Sequence, residues 1–512
     1  MKFARIILLV AALVICLVPI SQAAKSIEFS RVFPVSSGYF PQEVTPVDQM
    51  VENKFGLTLK KLTVPATDTT KLQAMIASGD VPDIMLIGEL NQAIKLLSDK
   101  VIGDLTPLIT KDKYPLLYAR VTNKDYRPFI AYGGKLFSIP NPNFYTQFPH
   151  VPIYRKDIAD DIALKLPTNL AEFSSWLAAI KKSGVKYPLT CCNGFNYGNL
   201  RMVFNAFGVA IDTNGLWHWN DAKKTAYCDD MTENMRKALA YLRQLKADGL
   251  LDADWSTQNE EVMFNKFVSG QAAFMQSWSV AWWRKEGNIE QYQREQAGED
   301  VSKFDPDAWN RRPVPSHVDI FPRLKEIKAY QGWAPVWDRF VFSTKCVADK
   351  AKMAKILELA EWSLTKEGYI AVGMGQEGVD FKFNEKGYLT WLPGVTPDTR
   401  ARKGFANLYY FGSPGDDQLE PPGDLDKPFD MKIRRYSHEQ PLFFDINSYL
   451  VSKTWAEKAA QFAEKRDGIF YGIINGMRPV SDFDAWLKDA KALGYDACVK
   501  EFTAAYKAAN KK

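Results

Sequence analysis

From Ile27 to Val32 apolar and polar residues alternate, the period of a strand with one buried face. A Gly- and Pro-containing loop (36–46) follows. Residues 47–55 then read as a short helix halted by Gly56, and 57–64 as a second strand. Leu72, Met75 and Ile76 stand at helical spacing, Gly79 fits a left-handed stop, and 83–87 is a continuous apolar run of strand length. Strand, helix, strand, helix, strand is the order of a mostly parallel sheet covered by helices.

Asn169 is a good helix N-cap, with Glu172 three residues on to reach back to the cap N–H. Phe173, Trp176, Leu177 and Ile180 follow on one face, which predicts core packing for both large rings. Further helices are expected over 232–247, 351–364, 455–465 and 482–492. Residues 284–330 are rich in charge and Pro and read as an inserted surface excursion. The chain shows no internal repeat.

The amino terminus has a different pattern. Lys2 and Arg5 precede an apolar stretch from Ile6 to Ile20, and Ser21-Gln22-Ala23 places small residues at −3 and −1 of a cleavage site. Residues 1–23 are therefore expected to be a cleaved secretory signal, since the run is shorter than the ~20 residues a membrane span needs. The mature protein is expected in the periplasm or extracellular space. Cys16 follows bulky residues, which argues against a lipid anchor.

At 512 residues, 46% hydrophobic and 24% charged, the chain has material for several globular units. The formal charge of +5 includes Lys2 and Arg5, and no long basic run exists, so nucleic-acid binding is not expected. The four histidines lack metal-ligand spacing. Five cysteines follow the leader: Cys191, Cys192, Cys228, Cys346 and Cys498. Cys228 with Cys191 or Cys192 is the first disulfide to test; the alternative is five buried thiols. GxSxG, HExxH and phosphate-loop motifs are absent. The single GxGxxG, at 373–378, follows a helical stretch rather than a strand. Carboxylates are plentiful, so spacing alone leaves a two-carboxylate glycosidase open. The 14 Trp, 22 Tyr and 31 Phe call for a use.

Several segments carry a resemblance. Residues 134–140 (GKLFSIP), 154–157 (YRKD) and 166–173 (LPTNLAEF) resemble the central signature of the family 1 extracellular solute-binding proteins, the maltose-binding-protein-like receptors of ABC importers. Residues 241–252, 267–274, 378–381 and 471–476 are similar to its oligosaccharide-type branch. The order of these segments covers most of 27–510. The resemblance implies a two-lobed α/β fold of the periplasmic-binding-protein type (class II), hinged between lobes, with a ligand in the cleft. It places one lobe at 25–148 plus about 330–410. The other takes 149–329 plus about 411–510 and contains the 284–330 insert.

The resemblance also implies that aromatic rings cover the apolar faces of a sugar while polar groups satisfy its hydroxyls. Trp278, just beyond the strand-like 272–276, stands where the family presents a stacking Trp, with Trp282 a turn later. Asn196 and Tyr197 match another aromatic contact of the family. Tyr39 and Phe40 end the loop after the first strand and Glu89 the loop after 83–87, where open α/β sheets face their crevice. Asn141, Asn143 and Tyr145 lie at the expected crossing between lobes. Trp333, with Asp338 and Arg339 beside Trp337, forms a ring-and-charge cluster, although Asp338 and Arg339 read equally as an exposed ion pair. Trp217-His218-Trp219 reads as hairpin packing.

The expected function is the substrate-binding component of an ABC transporter. It would be a monomer that captures a carbohydrate without chemistry or cofactor and delivers it to permease subunits. A secreted glycosidase or lyase, and a receptor for a non-sugar solute, are the alternatives.

Overall fold

The computed structural model describes residues 26–35, 39–65, 70–142, 150–195, 200–212, 215–276, 286–306, 316–332, 334–385, 387, 389–412 and 428–509. Strand β1 (Ile27–Val35), helix α1 (Pro46–Phe55), strand β2 (Leu57–Pro65), helix α2 (Thr70–Ala77) and strand β3 (Ile84–Ile87) form in the order the pattern predicts. The local reasons are visible at α1. The Thr45 side chain accepts from the Asp48 N–H and Asp48 answers on the Thr45 N–H. Pro46 supplies a pre-set first turn, and Gly56, at φ 66°, takes the left-handed stop.

The first sheet runs β2–β1–β3–β9–β4, with β4 at Ser138–Pro142 and β9 at Val336–Phe342. β1 is parallel to β2 and β3, whereas the late strand β9 inserts antiparallel between β3 and β4. Side chains alternate as period two requires. Phe29, Phe33, Phe340 and Phe342 enter one core, and Val32 and Val341 the core on the opposite face. The second sheet, β8–β5–β7–β6, comprises Pro152–Arg155 (β5), Tyr187–Thr190 (β6), Ala272–Gln276 (β7) and Val318–Ile320 (β8). A separate core covers it, built from residues 151–330 and 433–502. Two sheets with separate cores make two α/β lobes.

Asn169 caps helix α4 (Leu170–Lys182) by accepting from the Glu172 N–H at 3.0 Å. Glu172 reaches back one residue further than expected, to the N–H and hydroxyl of Thr168. Phe173 and Trp176 are fully buried and meet Phe321 edge-on. That contact corrects the reading of 284–330 as a surface excursion. Val318, Phe321, Leu324 and Ile327 belong to the second core, and β8 is an edge strand of its sheet. Trp217 and Trp219 do pack from a hairpin (217–220 with 225–228). Trp217 is buried against Trp455, Tyr495 and Phe502, and Trp219 is stacked on Tyr506.

The chain passes between lobes after β4 and again before β9. On this return, Tyr330-Gln331 pairs in parallel with Leu442-Phe443, and the Gly332 N–H donates to the Phe443 carbonyl. A segment from the end of the chain therefore straps the crossing; Tyr449, further along it, packs on both cores. All five described cysteines are free and buried, so no Cys228 disulfide joins Cys191 or Cys192. Among the described residues no helix is long and apolar enough to cross a membrane. The expected signal segment lies outside the described residues.

Candidate functional site

Where the lobes face each other a cavity of about 330 Å³ opens. Its first wall begins where β3 ends, with Gly88 and Glu89 leading into helix α3 (Leu90–Ser98), as the strand-end rule for α/β sheets requires. Val336, Trp337 and Arg339 of β9 extend this wall. The opposite wall holds Asp212, Gly215, Asp445, Asn447 and Ser448, supplied by the second lobe and the strap. Two other hollows differ in kind. One, of about 310 Å³, lies inside the second lobe between Glu260–Val268 and Glu286–Gln296. The other, of about 840 Å³, is floored by Ala505, Ala508 and Ala509 of the last helix.

The first wall is fixed by Arg339, which is 3% exposed. Its Nε donates to the Phe129 carbonyl at 2.6 Å and its Nη1 to the Gly88 carbonyl. Burial lowers this guanidinium to about 10, Asp338 and Glu89 opposing the shift. Asp338 is half-buried, and burial raises its carboxyl to about 6 against the pull of Arg339. Gly88 has no side chain to crowd it; a Cβ there would come within 3.2 Å of Asp338 Oδ1. Trp337 is 41% exposed, an unusual state for so large a ring.

The second wall rests on a buried charge network. The Trp217 and Asn447 N–H groups donate to Asp445 Oδ1 at 3.0 and 2.9 Å. Burial nevertheless pushes that carboxyl up to about 7. His218 Nε2 sits 2.9 Å from Asp229 Oδ2. Burial alone would lower this imidazole, but Asp229, with Asp445 and Asp230 beyond it, outweighs burial and raises it. Arg466 donates to Asp230 Oδ2 at 3.0 Å and to the Asp212 carbonyl at 2.8 Å. Trp486 Nε1 donates to the Asp230 carbonyl. The backbone beside Asp212 is thus held by an arginine that is itself 1% exposed.

Of the residues expected at the site, Glu89 and Arg339 line this cavity together. Asp338 and Asn141 are cross-strand partners in β9 and β4 and are not among its lining residues. Tyr39 and Phe40 are engaged within the first lobe. The Tyr39 hydroxyl donates to Glu43 under the Arg402 guanidinium, and Phe40 packs on Phe33. Trp278, Trp282, Asn143, Tyr145, Asn196, Tyr197 and Trp333 lie outside the described residues. Sequence reasoning named Trp337 only as a member of the ring-and-charge cluster and did not select Asp212, Asp445, Asn447 or Ser448. Trp337 was legible as the ring of the Trp-Asp-Arg triplet, while the others carried no periodic signal. Among the described residues no group of three His, Cys, Asp or Glu side chains is placed to hold a metal ion.

The family model described as bacterial extracellular solute-binding protein matches residues 48–337. Comparison with curated protein sequences finds no match. Solved structures of similar fold include an HMO-binding, ABC-transporter-associated solute-binding protein from Bifidobacterium longum infantis, at 16% identity and a TM-score of 0.70 over 96% of this chain and 100% of that one. The substrate-binding protein FusA of a Streptococcus pneumoniae ABC transporter, in complex with kestose, aligns at 16% identity and a TM-score of 0.65, covering 95% and 100%. The N-glycan transport solute-binding protein NgtS of the same species aligns at 14% identity and a TM-score of 0.61, covering 96% and 100%.

Proposed function

This chain belongs to the bacterial extracellular solute-binding protein family, and we propose that it is the receptor of an ABC importer, capturing a carbohydrate between its lobes and presenting it to permease subunits. The observation that carries this reading is the cavity itself. A half-exposed indole, Trp337, stands on one wall and hydrogen-bonding side chains converge from both. That pairing suits a sugar, whose C–H face stacks on a ring while its hydroxyls need individual partners. Micromolar affinity requires about 8 kcal/mol, within reach of one or two stacked rings and a few good hydrogen bonds. Contact with both walls at once favours the closed form, which couples binding to docking on the permease.

The same reading assigns 25–148 plus about 330–410 to the first lobe and 149–329 plus about 411–510 to the second, in keeping with the separate cores. It makes 1–23 a cleaved export signal and the mature receptor a monomer that does not turn its ligand over. It gives stacking roles to Trp278 and Trp282, an aromatic contact to Tyr197, and polar or ring contacts to Asn143, Tyr145, Asn196 and Trp333. A glycan panel tests it by calorimetry with product analysis. Saturable binding with intact ligand is the expected result; released products at enzyme-like rates, or no thermal shift with any glycan, would overturn it. Trp278→Ala should lower affinity about tenfold with the fold intact.

A further inference from the structure

Besides the turn at Glu89, three stretches of chain line the cavity. One carries Asp212 and Gly215, one Ala334 and Trp337, and one Asp445 and Ser448. Just upstream of these residues the stretches are tied together around Gln331. Gln331 pairs in parallel with Phe443, and the ladder bonds use Tyr330 and Gly332 on either side of it. The N–H and C=O of Gln331 therefore point away from that strand, and buried backbone groups need partners. Both partners come from the short helix α5 (Arg201–Ala206). Asn205 Oδ1 accepts from the Gln331 N–H at 3.1 Å, and Arg201 Nη1 donates to the Gln331 carbonyl at 3.0 Å. The other end of the Asn205 amide donates to the Val209 carbonyl at 2.9 Å, on the approach to Asp212. Helix α5 is anchored in turn. The Met202 N–H donates to Gln276 Oε1 at 2.6 Å, and Gln276 Nε2 to the His150 carbonyl at 2.7 Å.

We propose that Asn205 is a positioning residue for ligand capture, setting from outside the cavity the spacing of the stretches that carry Asp212, Trp337 and Asp445. The proposal rests on the reading of this cavity as the carbohydrate site and adds a residue that acts on it without lining it. Asn205 is 1% exposed, so its amide is committed to the fold on both sides. A primary amide supplies an acceptor and a donor at fixed spacing without charge; leucine fills the same room and ties neither partner, and aspartate offers only acceptors. Arg466 holds the Asp212 carbonyl from elsewhere in the second lobe, whereas Asn205 joins the approach to Asp212 to the crossing that leads to Trp337. Gln331 passes the same constraint to Phe443 and so to the strap. Contacts to a bound sugar hold only while the groups that make them stay within about 0.5 Å of their places, so loosening this tie weakens binding with every lining side chain still present.

The test uses the full mature chain and the tightest binder from a panel of α-1,4-, β-1,3- and β-1,4-linked oligosaccharides. Titration calorimetry of Asn205→Leu, run well below its unfolding midpoint, should show affinity lowered about tenfold. Tyr241→Phe is the control. It removes a hydrogen bond to Ser174 within the same lobe, between residues that do not line the cavity, and should leave affinity within about twofold of wild type. A double-mutant cycle with Trp337→Ala separates positioning from general softening: Asn205→Leu should cost less affinity in that background than in wild type. Should the leucine variant fail to fold, Asn205→Asp replaces it, keeping the acceptor for the Gln331 N–H and losing the donor to Val209, with a loss of about threefold. Undiminished affinity, an equal loss from Tyr241→Phe, or a loss that adds fully to that of Trp337→Ala overturns the proposal and leaves the carbohydrate reading standing. No binding of any panel member by the wild-type chain defeats the carbohydrate reading, and the proposal with it.

Discussion

The Arg339 guanidinium donates to the carbonyl of Gly88, tying β9 to the loop that ends its neighbour β3 at the rim of the cavity. The same side chain reaches the Phe129 carbonyl, so one residue near the centre of the sheet sets the position of a ligand-facing turn.

Arg339→Lys tests that relationship. A lysine keeps the charge but cannot fork to two fixed carbonyls, and each buried carbonyl left unpaired costs about 1–3 kcal/mol. The melting temperature should fall and ligand affinity with it, although the residue is almost wholly buried. Scanning calorimetry paired with titration calorimetry decides; a variant equal to wild type in both would remove Arg339 as the organiser of the wall.

Trp337→Ala should behave in the opposite manner. The ring is 41% exposed at the cavity and contributes little to either core. Affinity should drop about tenfold, roughly 1.4 kcal/mol, with the unfolding midpoint unchanged. A midpoint lowered by several degrees with affinity intact would make the ring a packing element.

Asp445 predicts a pH dependence whose sign follows from its titration. Its folded value, about 7, lies above the ordinary carboxyl value of roughly 3.9. The group therefore favours the folded state while protonated; that contribution is complete below about pH 4 and is lost as pH rises through about 7. Asp445→Asn keeps an oxygen for the Trp217 and Asn447 donors and removes the titration. Urea unfolding should show the variant more stable than wild type near pH 8, on the order of 2 kcal/mol after discounting for partial solvent contact, with the gap closing near pH 4. A gap that did not vary with pH would refute the assignment.

Arg466→Ala should be severely destabilising. Arg466 and Asp230 are both buried, and removal of one partner from such a pair costs about 3–5 kcal/mol. Because burial already raises Asp230 to about 6, protonation relieves the stranded charge, so the loss should be smaller near pH 5 than near pH 8. Chemical denaturation at the two pH values measures the difference.

The first five elements were legible because their causes are local: alternation in β1, the Thr45–Asp48 box, glycine at the helix stop. The 284–330 segment was misread because charge and Pro dominate its average, while a few residues, Val318, Phe321 and Leu324 among them, decide its burial. The site divides in the same way. Glu89 could be placed by the rule that strand ends face the crevice, and Trp337 stood in a noticeable triplet. Asp212 and Asp445 are distant in sequence and meet only because the chain's end returns to strap the crossing. No spacing rule encodes that approach.

The buried cysteines turn the protein into its own two-channel reporter. Cys346 sits in the first lobe's core, whereas Cys191, Cys192, Cys228 and Cys498 sit in the second's. A thiol-reactive dye can reach either set only through local opening, and mass spectrometry separates the modified peptides. Labelling in mild denaturant therefore clocks the two halves individually, and shows whether ligand capture steadies them together or one before the other.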